Sequence, residues 1–115
     1  MTLNEESKAL VFAERTAQYE GATVYHFEKG SSDKALKLIF TTISDGVFFL
    51  RLGDHPGWAL NVGGSIYKAG TEIVSWKWLK EDKQKFVVND DNTISPLKAM
   101  HLVFGIDNNA LKLVD

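Results

Sequence analysis

The sequence contains no cysteine. That excludes a disulfide scaffold, a thiol nucleophile, cysteine-ligated zinc and cysteine-held clusters. Only 2 prolines are present, and no segment is proline-rich, serine-rich or a long run of one charge. No window approaches ~18 consecutive apolar residues, so no membrane-spanning segment is expected. The start, Met1-Thr2-Leu3-Asn4-Glu5-Glu6-Ser7-Lys8, is polar and acidic and does not read as a secretory leader. No Asn-x-Ser/Thr acceptor occurs. A cytoplasmic protein is the expectation, with an exported mature form as the alternative. Basic excess is missing too: 13 Lys+Arg against 15 Asp+Glu give a net charge of −2, which argues against a dedicated nucleic-acid binder.

What is present is ordinary globular composition, 44% hydrophobic and 24% charged over 115 residues. That length predicts a single domain over residues 1–115. Such a chain buries roughly two-thirds of its unfolded surface and needs no metal to fold. Short apolar or alternating runs broken by turn residues predict an all-β domain. Ten strands are expected: Ala9–Glu14, Ala22–Glu28, Ala35–Ile43, Val47–Leu52, Trp58–Val62, Glu72–Trp78, Gln84–Asn89, Thr93–Leu97, His101–Phe104 and Ala110–Val114. Ser44-Asp45-Gly46, Asp90-Asp91-Asn92 and Asp107-Asn108-Asn109 are turn signals between them. Helix signals are poor, with one turn conceivable over residues 2–9.

The chain also aligns with itself. Ala9-Leu10-Val11-Phe12 matches Ala59-Leu60-Asn61-Val62, and Gly21–Phe27 matches Gly70–Trp76. Ser44–Val47 matches Asp91–Ile94, and His101–Gly105 matches Ala59–Gly63. The units span approximately residues 9–52, 58–97 and 101–115, about two and a half copies of a four-stranded pattern. A unit of that size repeated about an axis suggests a β-trefoil, since a propeller needs more blades than this length provides. Another small β barrel or sandwich is the alternative. Twelve strands make a trefoil and ten are counted, so the third unit is expected to be trimmed or completed by a partner chain.

The middle unit carries a specific likeness. Trp58-Ala59-Leu60-Asn61-Val62-Gly63-Gly64 is followed by Ala69-Gly70-Thr71-Glu72-Ile73-Val74-Ser75-Trp76, then Gln84-Lys85-Phe86 and Asp91-Asn92-Thr93-Ile94. Over residues 58–94 this resembles the ricin B-type lectin repeat. Asn61 stands where that family usually has Asp, and Phe86 where its Gln-x-Trp motif has Trp. The resemblance implies a β-trefoil lectin that holds a sugar with a carboxylate, a stacking aromatic and amide side chains. Carried onto this sequence, the site residues are Asn61, Trp76 and Gln84. Flat aromatics match the C–H face of a sugar ring, and planar amides match its hydroxyls. The corresponding positions elsewhere are Val11 and Val103 for the acid, and Phe27 and Val114 for the aromatic. At most one such site is therefore expected.

The residues themselves allow other roles. Trp58, Trp76 and Trp78 suit a core or barrel rim, and Gln84 suits a brace on loop backbone. Plain alternation over Val74, Trp76 and Trp78 predicts Trp76 inside and Ser75 and Lys77 in solvent. His26, His55 and His101 lack metal-site spacing, and the Asp54-His55 pair has no activated nucleophile beside it in sequence. Asn89-Asp90-Asp91-Asn92-Thr93 lacks the glycine and distal glutamate of a calcium loop and reads as a hairpin turn. Gly63-Gly64-Ser65 lacks the Lys-Ser/Thr of a phosphate loop. The expectation is therefore a non-enzymatic carbohydrate-binding module with no cofactor and no metal, its partner a glycan. The alternative is a protein-interaction or inhibitor domain acting through loops 53–57 and 63–69, or a homodimer formed through the alternating run Ala110–Asp115 as a sheet edge.

Overall fold

A computed structural model describes residues 3–4, 9–10, 12–17, 25–29, 36–53, 55–108 and 110–115, with side-chain environments from Leu38 onward. The described residues are all-β. Twelve strands run β1 (Leu3–Asn4), β2 (Ala9–Leu10), β3 (Phe12–Ala17), β4 (Tyr25–Lys29), β5 (Leu36–Ser44), β6 (Val47–Leu52), β7 (Trp58–Val62), β8 (Ile73–Lys77), β9 (Lys85–Val88), β10 (Ile94–Pro96), β11 (Val103–Asp107) and β12 (Ala110–Val114). The only helical pieces among the described residues are the 3₁₀ turns Gly63–Ser65 and Asp82–Gln84.

Every pairing is antiparallel, and the main path runs β1-β2-β5-β6-β7-β8-β4-β12-β11 without closing on itself. Strand β6 is the junction. One edge pairs with β5 from Leu38↔Leu52 to Ser44↔Val47. The other edge divides: Val47, Phe48 and Phe49 pair with β9, whereas Arg51 pairs with Ala59 of β7. The β5–β6 turn works because Gly46 adopts φ 75°, a left-handed conformation that a side chain disfavours. At the β9–β10 turn Asn92 takes the left-handed position with φ 66°, and Asp91 Oδ1 accepts hydrogen bonds from the Thr93 N–H and hydroxyl. The expected hairpin over Asn89–Thr93 is therefore present, built from side-chain bonds that Asn and Asp make to nearby backbone.

The pleat of β6 sorts its side chains. Leu50 and Leu52 point to the core, and Phe49 and Arg51 point to the opposite face. Leu50 and Leu52 join Leu60 and Val62 of β7, Ile73 of β8, Phe86 of β9, Ile94 of β10, Phe104 of β11 and Leu111 and Leu113 of β12. Phe86 and Phe104 meet edge to face, their centroids 5.2 Å apart at 75°, the arrangement that ring quadrupoles favour. Phe40 and Phe48 repeat it at 5.5 Å on the margin of the core. Each fully buried side chain of this size contributes roughly 1.5–3 kcal/mol by leaving water.

Three expectations are corrected. Residues Leu3, Asn4 and Ala9 are strand, so a helical turn over 2–9 does not form across them. The expected first strand is two strands, because Leu10 pairs with Leu36 of β5 whereas Phe12 pairs with Lys29 of β4. The C-terminal run is not a sheet edge. β12 pairs with β11 over five residues and with β4 at Ala110, while Leu113 exchanges backbone bonds with Gly70 and Thr71. The end of the sheet is β11. The two strands beyond the expected ten lie toward the N-terminus, not in the third unit.

The packing makes two contrasts measurable. Phe86→Ala is expected to lower unfolding stability by about 3–5 kcal/mol in urea denaturation. Gly63→Ala is also expected to destabilise, because its Cβ would stand 2.7 Å from the Glu72 carbonyl oxygen; Gly57→Ala, with nothing within 4 Å, leaves the midpoint almost unchanged.

Candidate functional site

Strands β7 and β8 pair from Trp58↔Lys77 to Val62↔Ile73. Leu60 and Ser75 therefore oppose each other on the core face, and Ala59 and Trp76 oppose each other on the outer face. This reverses the expected alternation. Ser75 is fully buried and Trp76 is half-buried, while Lys77 is exposed as expected. The reason is that Ile73, not Trp76, sets the inward face of β8. Val74 is covered as well, since β8 lies between β7 and β4.

The three residues carried from the lectin likeness lie in different environments. Trp76 is half-buried on the outer face, and Asn61 lies diagonal to it there, opposite Val74. Asn61 is 5% exposed; its Nδ2 donates to the Val62 carbonyl at 3.0 Å, and its Oδ1 is buried with no donor among the described residues. A carboxylate here would face that carbonyl oxygen, whereas the amide donates to it. Gln84 is fully buried, and its amide is committed to backbone. Its Nε2 donates to the Lys77 carbonyl at 2.6 Å and its Oε1 accepts from the Leu79 N–H at 2.9 Å. Gln84 thus acts as a brace that fixes the segment leaving β8.

That brace positions residues that sequence reasoning did not nominate. The Trp78 N–H donates to the Gly57 carbonyl at 2.9 Å, so the segment is held from both sides. The Arg51 guanidinium lies 4.1 Å from the Trp78 ring centroid, and Phe49 meets the same ring edge-on at 5.6 Å. Arg51 Nε donates to the Pro56 carbonyl at 2.9 Å, and an NH1 hydrogen goes to Thr41 Oγ1 at 3.3 Å. Lys80, at a left-handed φ of 59°, brings its ammonium 5.2 Å from the ring centroid. Cation–π contacts of this kind contribute about 0.5–2 kcal/mol. The signal was available in the sequence: Arg51 and Phe49 alternate with Leu50 and Leu52, a polar-out pattern on one strand.

A separate cleft of about 310 Å³ is lined by Ser65, Tyr67, Glu81, Asp82, Lys83 and Lys98. Its charges are matched internally. Asp82 reaches Lys98 at 3.0 Å and Lys85 at 3.1 Å, and Lys83 reaches Glu81 at 3.5 Å. Hydrogen bonds from Lys98 and Lys85 hold the Asp82 carboxyl below the usual aspartate range, and Asp82 in turn raises Lys98. Burial pushes the Tyr67 hydroxyl up. His55 is exposed in its loop, and the Asp54 of the expected pair lies outside the described residues. Among the described residues no group of three His, Asp or Glu side chains gathers as for a metal. Among the described residues no helix is long and apolar enough to cross a membrane.

No family model matches the chain, and neither a curated protein nor a solved structure matches it.

Two measurements check these assignments. Gln84→Ala leaves two backbone groups without partners and is expected to cost about 2–4 kcal/mol in urea denaturation. The Asp82 pKa is lower folded than unfolded, so its contribution to stability is present above about pH 4 and is lost as pH falls through the folded value. An NMR titration should find Asp82 titrating below an ordinary aspartate, with the difference shrinking in high salt because the group is exposed.

Proposed function

We propose that the chain is a non-enzymatic carbohydrate-binding module on a β-trefoil-like scaffold, similar to ricin B-type lectins. The observation that carries this reading is the placement of Trp76. Its indole is half-buried on the face of β8 turned away from the hydrophobic core. Core tryptophans stabilise by full burial; one left partly in water on a strand flanked by neighbours offers a flat apolar face to a ligand. Asn61 lies diagonally beside it on the same face, and Ala59 directly opposite is small. The twelve-strand count supports the trefoil reading, as does the division of β6 between two partners, because such division lets a sheet curve around a core. Gln84 acts here as a positioning residue through its bonds to Lys77 and Leu79 and does not touch the sugar.

A protein-interaction role is the second reading. It is favoured by Ile66, which is 49% exposed within the 63–69 loop. The two readings separate in one experiment. In a glycan-array screen followed by titration, the wild-type chain is expected to bind and Trp76→Ala to lose at least about tenfold in affinity, with an unchanged unfolding midpoint. Absence of any glycan signal, or binding indifferent to Trp76→Ala, removes the carbohydrate reading and leaves the loop surface.

A further inference from the structure

We infer that the cleft around Asp82 docks an extended peptide segment of another protein, one in which aliphatic side chains flank an aspartate or glutamate. This goes beyond the carbohydrate reading and does not rest on it, because neither Trp76 nor Asn61 lines the cleft. It gives the exposed loop around Ile66 a partner of stated chemistry. First, apolar side chains gather there. Five large apolar side chains are exposed among the described residues, and four of them stand within two residues of one that lines the cleft: Ile66, Leu79, Leu97 and Met100. They come from three segments that the fold brings together. The Asp82 carboxylate meets Lys98 at 3.0 Å, the Leu97 N–H donates to the Lys85 carbonyl at 3.0 Å, and the cleft joins the 63–69 loop to both. Single exposed apolar residues are ordinary, whereas several around one concavity mark a surface that a partner covers. Tyr67 ties the cleft to the hydrophobic core, against which its ring packs.

Second, the charge selects an acid. Asp82 alone serves both Lys85 and Lys98, and Glu81 serves Lys83, so three ammoniums share two carboxylates. The Lys98 side chain is 54% exposed, and an ammonium has three hydrogens to donate. Lys98 therefore keeps Asp82 and still donates to a carboxylate arriving from solvent. A basic side chain would meet the surplus of lysines instead. The same surplus disfavours a second copy as the occupant, since a two-fold contact through this face would set lysines against lysines.

Third, the walls are set before a partner arrives. On one side the Gly63 N–H donates to the Glu72 carbonyl at 3.0 Å and the Ile66 N–H to the Gly63 carbonyl at 3.2 Å. On the other, Gln84 braces the turn that carries Asp82, and the Ala99 N–H donates to the Pro96 carbonyl at 3.1 Å. A preformed surface loses little ordering entropy on binding. At about 310 Å³ the cleft stands at the small end of ligand sites, and the apolar residues continue past its rim. An extended peptide covers both; a small molecule would fill the cleft and leave the apolar rim in water.

The test selects from a randomised short-peptide library on the intact chain and titrates the enriched peptides by fluorescence anisotropy. Enriched peptides are expected to carry an aspartate or glutamate between aliphatic residues and to bind less tightly as salt rises. Ile66→Ser and Met100→Ser are each expected to weaken binding at least about tenfold with an unchanged unfolding midpoint. Replacing the peptide's acid by lysine should abolish binding to wild type and restore it to Lys98→Glu. Where Lys98→Glu fails to fold, because it sets a second acid beside Asp82, Lys98→Gln carries the test through loss of the preference for acidic over neutral peptides. No enrichment, enrichment of peptides without an acid, or binding indifferent to both Ile66→Ser and Met100→Ser overturns the inference. An acidic preference preserved in Lys98→Gln overturns it too. So does a dimer in sedimentation that Met100→Ser dissociates, which assigns the face to a second copy. A silent glycan array leaves this inference standing, and its own failure leaves the Trp76 reading standing.

Discussion

The structure depends on how β6 shares its hydrogen bonds. A strand has two edges, and β6 gives one wholly to β5 while dividing the other between β9 and β7. That division brings Phe86 and Leu60, from strands that do not pair with each other, against Leu50 and Leu52 in one core. It also fixes what the opposite face carries, because alternation leaves Phe49 and Arg51 no other direction. Core and outer cluster are two sides of one pleat. Shifting the β6 register by a single residue would exchange them, placing a guanidinium among leucines.

Backbone polar groups in the irregular segments are satisfied by a few side chains. Gln84 closes the bend after β8, and Asn89 reaches Thr93 and Ser95 across the base of the β9–β10 hairpin. These amides matter beyond their number because they hold loops where no ladder is available. The segment braced by Gln84 also contains Trp78 and Lys80, so the order of the cationic face derives from a residue that never reaches it.

Local pattern made much of the fold legible. β6, β7 and β12 have the bounds that their flanking turns announce, since Asp45-Gly46, the 53–57 loop and Asp107-Asn108 all punctuate alternating runs. Pattern does not encode partners. The apolar run from Ala9 looks continuous, yet the chain changes partner between Leu10 and Phe12. The face of β8 was misread for a related reason. With Ile73, Val74 and Trp76 all apolar, alternation alone cannot say which parity faces the core, and only pairing with Leu60 decides it. Of the candidate site, Trp76 and Asn61 were visible through the lectin likeness. Alternation on β6 marked Arg51 as facing away from the core, but its meeting with Trp78, far along the chain, is not encoded in that pattern.

The hairpin β11–β12 forms the seam between distant parts of the chain. β12 meets β4 at Ala110↔Glu28, and Lys112 bridges to Glu72. Contacts so far apart in sequence carry a large loop-closure cost before they stabilise anything. The β5–β6 and β9–β10 hairpins are local and form early by comparison. During synthesis β4 therefore emerges well before β12, and its edge at Glu28 stays uncovered until Ala110 has been made. The cost of a seam between segments so distant in sequence is borne during folding, in the interval when an unpaired strand is most open to another chain.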